Sequence, residues 1–395
     1  MLRIAFVDDE PNVLKGISRA LLPMRNEWEM VFCASGAEAL AHMREKPFDI
    51  VVTDMRMPEM DGAELLSRVR ALNPATVRII LSGYAESDAI LRTVGPAHMY
   101  LAKPCGADTL RQAVLRQVSL RALLDSPDLR ALLAGLSNLP SLPQVYTRLQ
   151  GELMSANSSP RGIADIVAED VAMTAELMRI ANSAFFSVSC HVSSLLSAVS
   201  LLGVEVIQTL VLRIGVFRQF NGKTDLAPIL EGMTRHSLGI ADIAQRIVVM
   251  EGGDDTTAKS ARIAGMLSDI GRIVLLDAHP VRYRALLEQP GAPLHQRERE
   301  AFGAASTLIG AYLLGLWGFS DQIVEAIAYC QTPSACLGRD NLVLTALHGA
   351  FALGPVFSLT GGDDGARATC PLDWAYLDAA GCRGHVDHWR AVLAP

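Results

Sequence analysis

Residues 48–62 read FDIVVTDMRMPEMDG, and this stretch decides the fold of the first part of the chain. A short, nearly continuous apolar run ends at Asp54, and a loop with proline and glycine follows it. Such a run is typical of a parallel strand covered on both faces. Four similar runs surround it, at residues 4–7, 30–33, 77–81 and 98–102. Because a helical pattern follows each run, the sequence predicts five βα units in a doubly wound α/β domain with a five-stranded parallel sheet.

Polar side chains stand at the carboxyl ends of four of the five predicted strands. They are Asp8 and Asp9 after the first strand, Asp54 after the third, Ser82 after the fourth and Lys103 after the fifth. We expect them to converge, because the carboxyl ends of parallel strands share one edge of the sheet. Clustered carboxylates favour a cation, and Mg²⁺ prefers hard oxygen ligands. We therefore expect Mg²⁺ at Asp8, Asp9 and Asp54, beside a carboxylate able to attack a phosphoryl group.

Residues 1–122 resemble the receiver domain of bacterial response regulators. The resemblance rests on the acidic pair after the first strand, on the D-x-x-M-P-x-M-x-G pattern that begins at Asp54, on Ser82 and on Lys103 followed by proline. It implies that Asp54 is the phosphoacceptor, that Mg²⁺ is the cofactor, and that Ser82 and Lys103 contact the phosphoryl group. Tyr100, three residues before the lysine, matches the switch aromatic of this family. The implied phosphoryl donor is a sensor histidine kinase or a phosphotransfer protein.

Helical patterning continues after the last predicted strand through residues 107–124. Its near-heptad apolar stripe consists of Leu110, Val114, Val118 and Leu124. We expect the first half to pack on the sheet. The second half either pairs with a second protomer, giving a homodimer, or transmits to the next domain. Turn and N-cap residues at 125–130 mark a boundary, so we assign residues 123–135 to a linker that extends the last receiver helix.

From residue 130 the sequence becomes helical, which predicts an all-α bundle of eight or more helices. Residues 136–350 resemble the HDOD domain, a relative of the HD phosphohydrolases, and the resemblance implies an HD-like bundle. The segments that carry it are LPSLPQV at 139–145, IANSAFF at 180–186, LLGVEVI at 201–207 and MLSDIGR at 266–272. Residues 351–395 form a C-terminal extension for which the sequence predicts no role.

The metal site of HD phosphohydrolases is built from a histidine, a His-Asp doublet and a later acid. On the resemblance, His236 matches the first ligand and Asp269 the acid of the doublet, whereas Ser268 stands in place of the doublet's histidine. The last ligand position falls near His348. A hydrolytic metal site needs at least three good protein ligands and an open position. We therefore interpret the site as degenerate, and we expect neither a cofactor nor enzymatic activity in the HDOD domain.

Composition narrows the class of partner. The 395 residues carry a net charge of −7 and only 6% are aromatic, and the chain has no basic run that would bind nucleic acid.

The chain opens without a signal-peptide pattern. The apolar stretch 342–359 contains His348 and Pro355, so we interpret it as a buried helix and a turn rather than a membrane span. Seven scattered cysteines predict free thiols in the cytoplasm.

One group of metal-ligand types stands near the C-terminus. Its members are Cys370, Cys382, His385 and His388. The residue types suit zinc, but the spacing C-x₁₁-C-x₂-H-x₂-H is not that of a familiar zinc finger. We expect free thiols and surface histidines there rather than a metal site.

The sequence thus predicts a two-component response regulator, phosphorylated on Asp54, with a non-catalytic HDOD output that binds a downstream signalling protein. The competing hypothesis is a phosphorylation-regulated, HD-type metal-dependent phosphohydrolase for a nucleotide or cyclic dinucleotide, with His236, Asp269 and His348 on the metal. A DNA-binding regulator is disfavoured, because the acidic chain offers no basic recognition helix.

Overall fold

The structure is a computed structural model of the chain. It describes residues 1–82, 96–103, 105–121, 123–136, 139–155, 157–183, 192–211, 217–219, 226–289, 292–336, 341–355 and 370–393. The chain divides into two compact units. The first comprises Met1–Ser137, Arg179–Cys190 and Gly315–Gly318, and the second comprises Asn138–Met178, His191–Leu314 and Phe319–Pro395.

The first unit is built on a five-stranded parallel sheet with strand order β2-β1-β3-β4-β5, which confirms the predicted fold class. The strands are β1 (Leu2–Val7), β2 (Trp28–Cys33), β3 (Ile50–Asp54), β4 (Val77–Ser82) and β5 (Met99–Ala102). Val7 pairs with Thr53, so the residues that follow β1 stand beside the end of β3. Asp54 pairs with Leu81 and therefore lies at the carboxyl edge next to the end of β4.

Five described helices belong to this unit. They are α1 (Pro11–Ala20), α2 (Gly36–Glu45), α3 (Gly62–Leu72), α4 (Ala107–Arg121) and α5 (Pro127–Gly135), with a 3-10 turn at Leu22–Met24. Side-chain N-caps fix where α2 and α3 begin: Ser35 accepts from the Glu38 amide and Asp61 accepts from the Glu64 amide. The helical pattern at 86–94 lies outside the described residues.

The helix after the last strand is shorter than its sequence pattern suggests. α4 ends at Arg121, and a separate helix, α5, begins at Pro127 with Ser126 as its N-cap. Within the apolar stripe, Leu110, Val114 and Leu124 are buried, but the Val118 side chain is 40% exposed.

α5 is held against the sheet by a buried arginine. Arg78, at the start of β4, donates from Nη2 to the Ala134 carbonyl in the last turn of α5 (2.7 Å). Its Nε donates to the Pro96 carbonyl (2.6 Å), and His98 contacts the Ala134 carbonyl through Nε2 (2.8 Å). Carbonyls at a helix C-terminus lack partners within the helix, so the guanidinium caps α5.

The second unit is a helical bundle, as predicted. Its helices are α6 (Pro143–Met154), α7 (Pro160–Val167), α8 (Val171–Ala181), α9 (Leu195–Leu202), α10 (Val204–Thr209), α11 (Ala227–Met250), α12 (Asp255–Met266), α13 (Ile270–Ala278), α14 (Pro280–Glu288), α15 (Leu294–Phe302), α16 (Ser306–Leu316), α17 (Asp321–Tyr329), α18 (Leu342–Leu353), α19 (Trp374–Ala379) and α20 (Val386–Leu393). The last residues of α8, from Arg179, and of α16, from Gly315, are assigned to the first unit. A short β6 (Pro140–Ser141) pairs in parallel with β7 (Arg218–Gln219). The long helix α11 packs against α12 and α18 and forms the centre of the bundle.

Two helical stretches of the sequence, 195–209 and 255–278, each form two helices. Gly203 separates α9 from α10 and has a φ of +77°, a conformation that favours glycine. Leu267–Asp269 form a turn between α12 and α13, which brings Asp269 to the start of α13. The apolar stretch at 342–359 contains the buried helix α18, as interpreted from the sequence. Among the helices of the described ranges, none is long and apolar enough to cross a membrane.

Candidate functional site

A lysine joins two carboxylates at the carboxyl edge of the sheet. Lys103 Nζ lies 2.5 Å from Asp54 Oδ1 and 2.8 Å from Asp8 Oδ2. The Asp8 side chain is buried, and the Asp54 side chain is 13% exposed. The backbone amides of Glu10 and Arg56 donate to Asp8 Oδ1 (2.9 Å) and Asp54 Oδ2 (3.2 Å). The strand ends thus bring together two of the three acids that the sequence singles out, Asp8 and Asp54, with the lysine.

Burial and charge act in opposite directions on this group. Burial raises the pKa of the Asp54 carboxyl, although Lys103 favours its ionised form. Burial also disfavours the Lys103 ammonium, but its hydrogen bonds to Asp54 and Asp8 outweigh that effect and raise the pKa of Lys103. The lysine is therefore a fixed positive charge beside a partly buried carboxylate, where it can stabilise negative charge that gathers near Asp54.

The other predicted residues of this site are Asp9, Ser82 and Tyr100. Asp9 is exposed and follows Asp8 directly. Ser82 is the last residue of β4, and the direction of its side chain lies outside what the structure describes. Tyr100 is buried in β5 within the core of the first unit.

The loop after Asp54 is fixed by close backbone packing. The Gly62 amide donates to the Met55 carbonyl (2.9 Å), and a Cβ at position 62 would lie 2.2 Å from the Asp54 carbonyl oxygen. Glu59 has a φ of +65°, which is uncommon for a residue with a side chain. The glycine of the D-x-x-M-P-x-M-x-G pattern therefore allows α3 to begin directly against the end of β3.

The donor set suits a hard divalent cation. Asp8 and Asp54 offer carboxylate oxygens, and the exposed Asp9 adjoins them. Two carboxylates face one ammonium, so the Asp8–Asp54–Lys103 group keeps an excess of negative charge. Mg²⁺ binds through one or two carboxylates and retains waters, which fits this arrangement.

The second unit contains a separate buried charged cluster. Asp269 is fully buried, and His236 Nδ1 lies 2.6 Å from its Oδ2, where the imidazole N–H donates to the carboxylate. The Ser237 hydroxyl donates to the same oxygen (3.1 Å), while Arg272 Nη1 lies 3.0 Å from Asp269 Oδ1. Burial disfavours the Asp269 carboxylate, but Arg272 and His236 outweigh burial and lower the pKa of this acid. The Arg272 guanidinium thus neutralises Asp269, the acid that matches a metal ligand of the HD pattern.

Ser268 and His348 have other contacts. The Ser268 hydroxyl donates to the Gly265 carbonyl (2.7 Å), so it satisfies a backbone acceptor in the last turn of α12. His348 Nδ1–H donates to the Cys330 carbonyl (2.7 Å), and its Nε2 accepts from the Asp373 amide (2.9 Å). Burial lowers the pKa of His348. Because backbone groups engage both ring nitrogens, this histidine ties α18 to two loops.

Sequence reasoning assigned no role to Ser237 and did not anticipate that Arg272 would pair with Asp269. Arg272 stands three residues after Asp269, a spacing that brings side chains together on a helix. Ser237 adjoins His236 on α11, and adjacency in sequence gave no reason to expect that both contact one carboxylate.

Comparison with known families and proteins adds to this geometry. Residues 4–115 match the response regulator receiver domain, and residues 139–333 match the HDOD domain. The chain is 33% identical over 112 residues to the transcriptional regulatory protein GlrR of Escherichia coli. The matched region covers 28% of this chain and 25% of that protein. It is 32% identical over 158 residues to the hydrogenase transcriptional regulatory protein HoxA of Cupriavidus necator, which covers 40% of this chain and 31% of that protein.

Solved structures give similar matches. The MmoQ response regulator of Methylococcus capsulatus matches with 23% identity and a TM-score of 0.46, over 65% of this chain and 98% of that chain. A response regulator receiver domain protein of Clostridium thermocellum matches with 31% identity and a TM-score of 0.29, over 31% of this chain and 98% of that one. The chain spans only about a quarter to a third of the length of the curated relatives named above. On the two family matches, this chain combines a response regulator receiver domain, residues 4–115, with an HDOD domain, residues 139–333.

Proposed function

We propose that this protein is a response regulator of a two-component phosphorelay and that it accepts a phosphoryl group on Asp54. The observation that carries the proposal is the contact of Lys103 Nζ with both Asp54 (2.5 Å) and Asp8 (2.8 Å) at the carboxyl edge of the sheet. A nucleophilic carboxylate, a second carboxylate suited to a metal and a fixed cation are the groups that phosphoryl transfer to an acid requires.

In the proposed reaction an Asp54 carboxylate oxygen attacks the phosphorus of a phosphohistidine on a sensor histidine kinase or phosphotransfer protein. The new O–P bond forms as the P–N bond breaks, and the donor imidazole leaves with the electron pair of that bond. Lys103 stabilises the charge spread over the phosphoryl oxygens. Mg²⁺ held by Asp8, Asp9 and Asp54 would supply further positive charge there.

Two residues near the strand ends are proposed to report phosphorylation. Ser82 ends β4, and Tyr100 pairs with Ile80 of the same strand. On the resemblance to receiver domains, the Ser82 hydroxyl contacts the phosphoryl group and Tyr100 carries the switch. We place this signalling in the cytoplasm, where free thiols stay reduced.

The HDOD domain is proposed to act by binding a downstream signalling protein rather than by hydrolysis. The support is the buried pair of Asp269 and Arg272, because a divalent ion at Asp269 would lie beside a guanidinium. His348, the third ligand that a hydrolase would need, donates and accepts hydrogen bonds through both ring nitrogens. The competing phosphohydrolase hypothesis requires the Asp269–Arg272 ion pair and the hydrogen bonds of His348 to break.

The phosphoacceptor proposal is tested with the full-length protein, acetyl phosphate and either Mg²⁺ or EDTA. We expect covalent phosphate, measured on phosphate-affinity gels, with Mg²⁺ but not with EDTA. Asp8→Asn should lower the labelling rate at least about tenfold, since it removes a charged metal ligand. The matched control is Asp61→Asn, because asparagine also serves as an N-cap for α3. Labelling that is independent of Mg²⁺ and of Asp8 would contradict the proposal.

The non-catalytic output is tested by turnover assays on nucleotides and cyclic dinucleotides with Mn²⁺, Fe²⁺ or Zn²⁺. We expect no hydrolysis in the phosphorylated or the unphosphorylated protein. Hydrolysis that disappears in His236→Ala would establish the competing hypothesis instead.

A further inference from the structure

Three side chains of metal-ligand type meet where the C-terminal segment, residues 370–393, packs on the end of α11. Cys382 Sγ lies 3.5 Å from Glu251 Oε2, and His385 Nδ1 lies 2.8 Å from the same oxygen. One ligand atom from each of the three residues lies within 4.8 Å of those of the other two. The group brings together residues more than 130 positions apart in the sequence.

Local structure holds each of these side chains in place. Glu251 directly follows α11, and its carboxylate side chain is 9% exposed. The indole N–H of Trp389, a fully buried residue, donates to Glu251 Oε1 (2.8 Å). Cys382 is buried and His385 stands three residues later in a 3-10 turn, so the segment presents a C-x₂-H pair to the carboxylate.

The carboxylate of Glu251 sits in this group with little opposing charge. Among the described residues, its ion-pair partner is His385, which is charged only when protonated. A thiol, an imidazole and a carboxylate arranged around one point are also the three side-chain types that zinc binds. The Trp389 hydrogen bond orients the carboxylate in the manner of the outer partners that orient metal ligands.

We propose that Glu251, Cys382 and His385 bind one Zn²⁺ ion that fastens the C-terminal segment to α11. The Cys382 thiol loses its proton to solvent when the metal binds, so the ligand is the thiolate. The His385 side chain is 56% exposed, and a water molecule from that side completes four ligands. This proposal departs from the sequence-based expectation that these residues are a free thiol and a surface histidine.

The membership of this site differs from the group that the sequence suggests. Cys370 contacts the carbonyls of Gln331 and Pro371, and neither Cys370 nor His388 belongs to a three-residue group of ligand atoms within the described ranges. A second such group, Cys33, Glu38 and His42, carries no proposal because Glu38 already serves the N-terminus of α2, where it accepts from the Ala34 amide (2.7 Å).

The test uses Co²⁺ as a spectroscopic substitute for zinc on the full-length protein, reduced, treated with chelator and desalted. We expect one equivalent of Co²⁺ to give a near-ultraviolet cobalt–thiolate absorption band, and Zn²⁺ to displace it. Cys382→Ser should abolish the band and His385→Ala should weaken Co²⁺ binding at least about tenfold. Cys370→Ser and His388→Ala are the matched controls and should bind as the wild type does.

Thermal unfolding gives a second readout that does not depend on the cobalt–thiolate absorption band. Zn²⁺ should raise the Tm of the wild type and of both controls, but not that of Cys382→Ser, whose fold is checked by circular dichroism. The proposal is overturned if the wild type binds no Co²⁺, if Cys382→Ser retains the band, or if Cys370→Ser loses it.

Discussion

Arg272 Nη1 lies 3.0 Å from Asp269 Oδ1, and both side chains are buried in the second unit. Arg272 also lies near the buried acid Glu298, which accepts from the Tyr283 hydroxyl (2.6 Å) and from the Ser306 amide (2.8 Å). The Arg272 guanidinium thus interacts with two buried carboxylates, those of Asp269 and Glu298. Such a pair is costly to break, because removal of one partner leaves the other charge buried and uncompensated.

Arg272→Met should therefore lower the free energy of unfolding by about 3–5 kcal/mol. The double variant Asp269→Asn with Arg272→Met should recover part of this loss, since it removes both charges. Lys259→Met is the matched control: Lys259 pairs with Asp255 on the exposed face of α12, and the change should cost less than about 1 kcal/mol. Urea unfolding measures all three. Equal stability of Arg272→Met and wild type would show that the pair does not hold this cluster together.

The close approach of Gly62 to Asp54 makes a prediction about the phosphoacceptor site. Gly62→Ala should slow phosphorylation by acetyl phosphate and lower the Tm, because a Cβ would lie 2.2 Å from the Asp54 carbonyl oxygen and displace the strand end. Gly16→Ala is the control: position 16 lies in exposed helix α1 with open space for a Cβ, and alanine favours helix by up to about 1 kcal/mol. Unchanged labelling in Gly62→Ala would contradict the account of this loop.

Asp170 gives the second unit a pH-dependent stability. Burial raises the pKa of this acid to about 6, although the Leu142 and Met173 amides donate to its carboxylate (2.6 and 2.9 Å). The folded state therefore holds a proton that the unfolded state has lost between pH 4 and 6, so stability falls as pH rises through this range. The full effect amounts to roughly 3 kcal/mol.

Asp170→Asn removes the titration at that site. Between pH 4 and pH 7, the free energy of unfolding of the wild type should fall relative to that of Asp170→Asn, as measured by urea unfolding at each pH. A difference between the two proteins that does not change with pH would contradict the assignment.

The Arg78 cap predicts how α5 depends on its contact with β4. Arg78→Met removes the donor that bonds the Ala134 carbonyl and leaves the last turn of α5 without this cap. Amide hydrogen exchange across residues 127–135 should become faster, while exchange in β1 should change less. Arg19→Met, on exposed α1, is the control and should change neither. Unchanged exchange in Arg78→Met would show that the Arg78 cap does not hold α5.

The sheet could be predicted closely because each strand contains a short apolar run, and polar residues stand at the ends of four of the five. Asp54 and Lys103 were expected to meet for that reason, although the 2.5 Å contact itself depends on side-chain geometry that spacing does not give. α14 and α15 were not predicted, because their sequences are rich in charged residues and lack a long apolar face.

The candidate sites of the second unit were harder to predict. The turn at Leu267–Asp269 splits a helical run whose apolar pattern continues across the break. Glu251 could not be assigned to the C-terminal cysteine and histidine, because it lies more than 130 positions before them and meets them through the packing of the folded bundle.

The central claim is that Asp54 is the residue that carries the phosphoryl group. The most direct measurement is peptide mapping by mass spectrometry after the full-length protein reacts with acetyl phosphate and Mg²⁺ and is trapped by borohydride reduction. We expect modification at Asp54, none in Asp54→Asn, and unchanged modification in Asp61→Asn. Modification of another residue in the wild type, or undiminished labelling of Asp54→Asn, would contradict it.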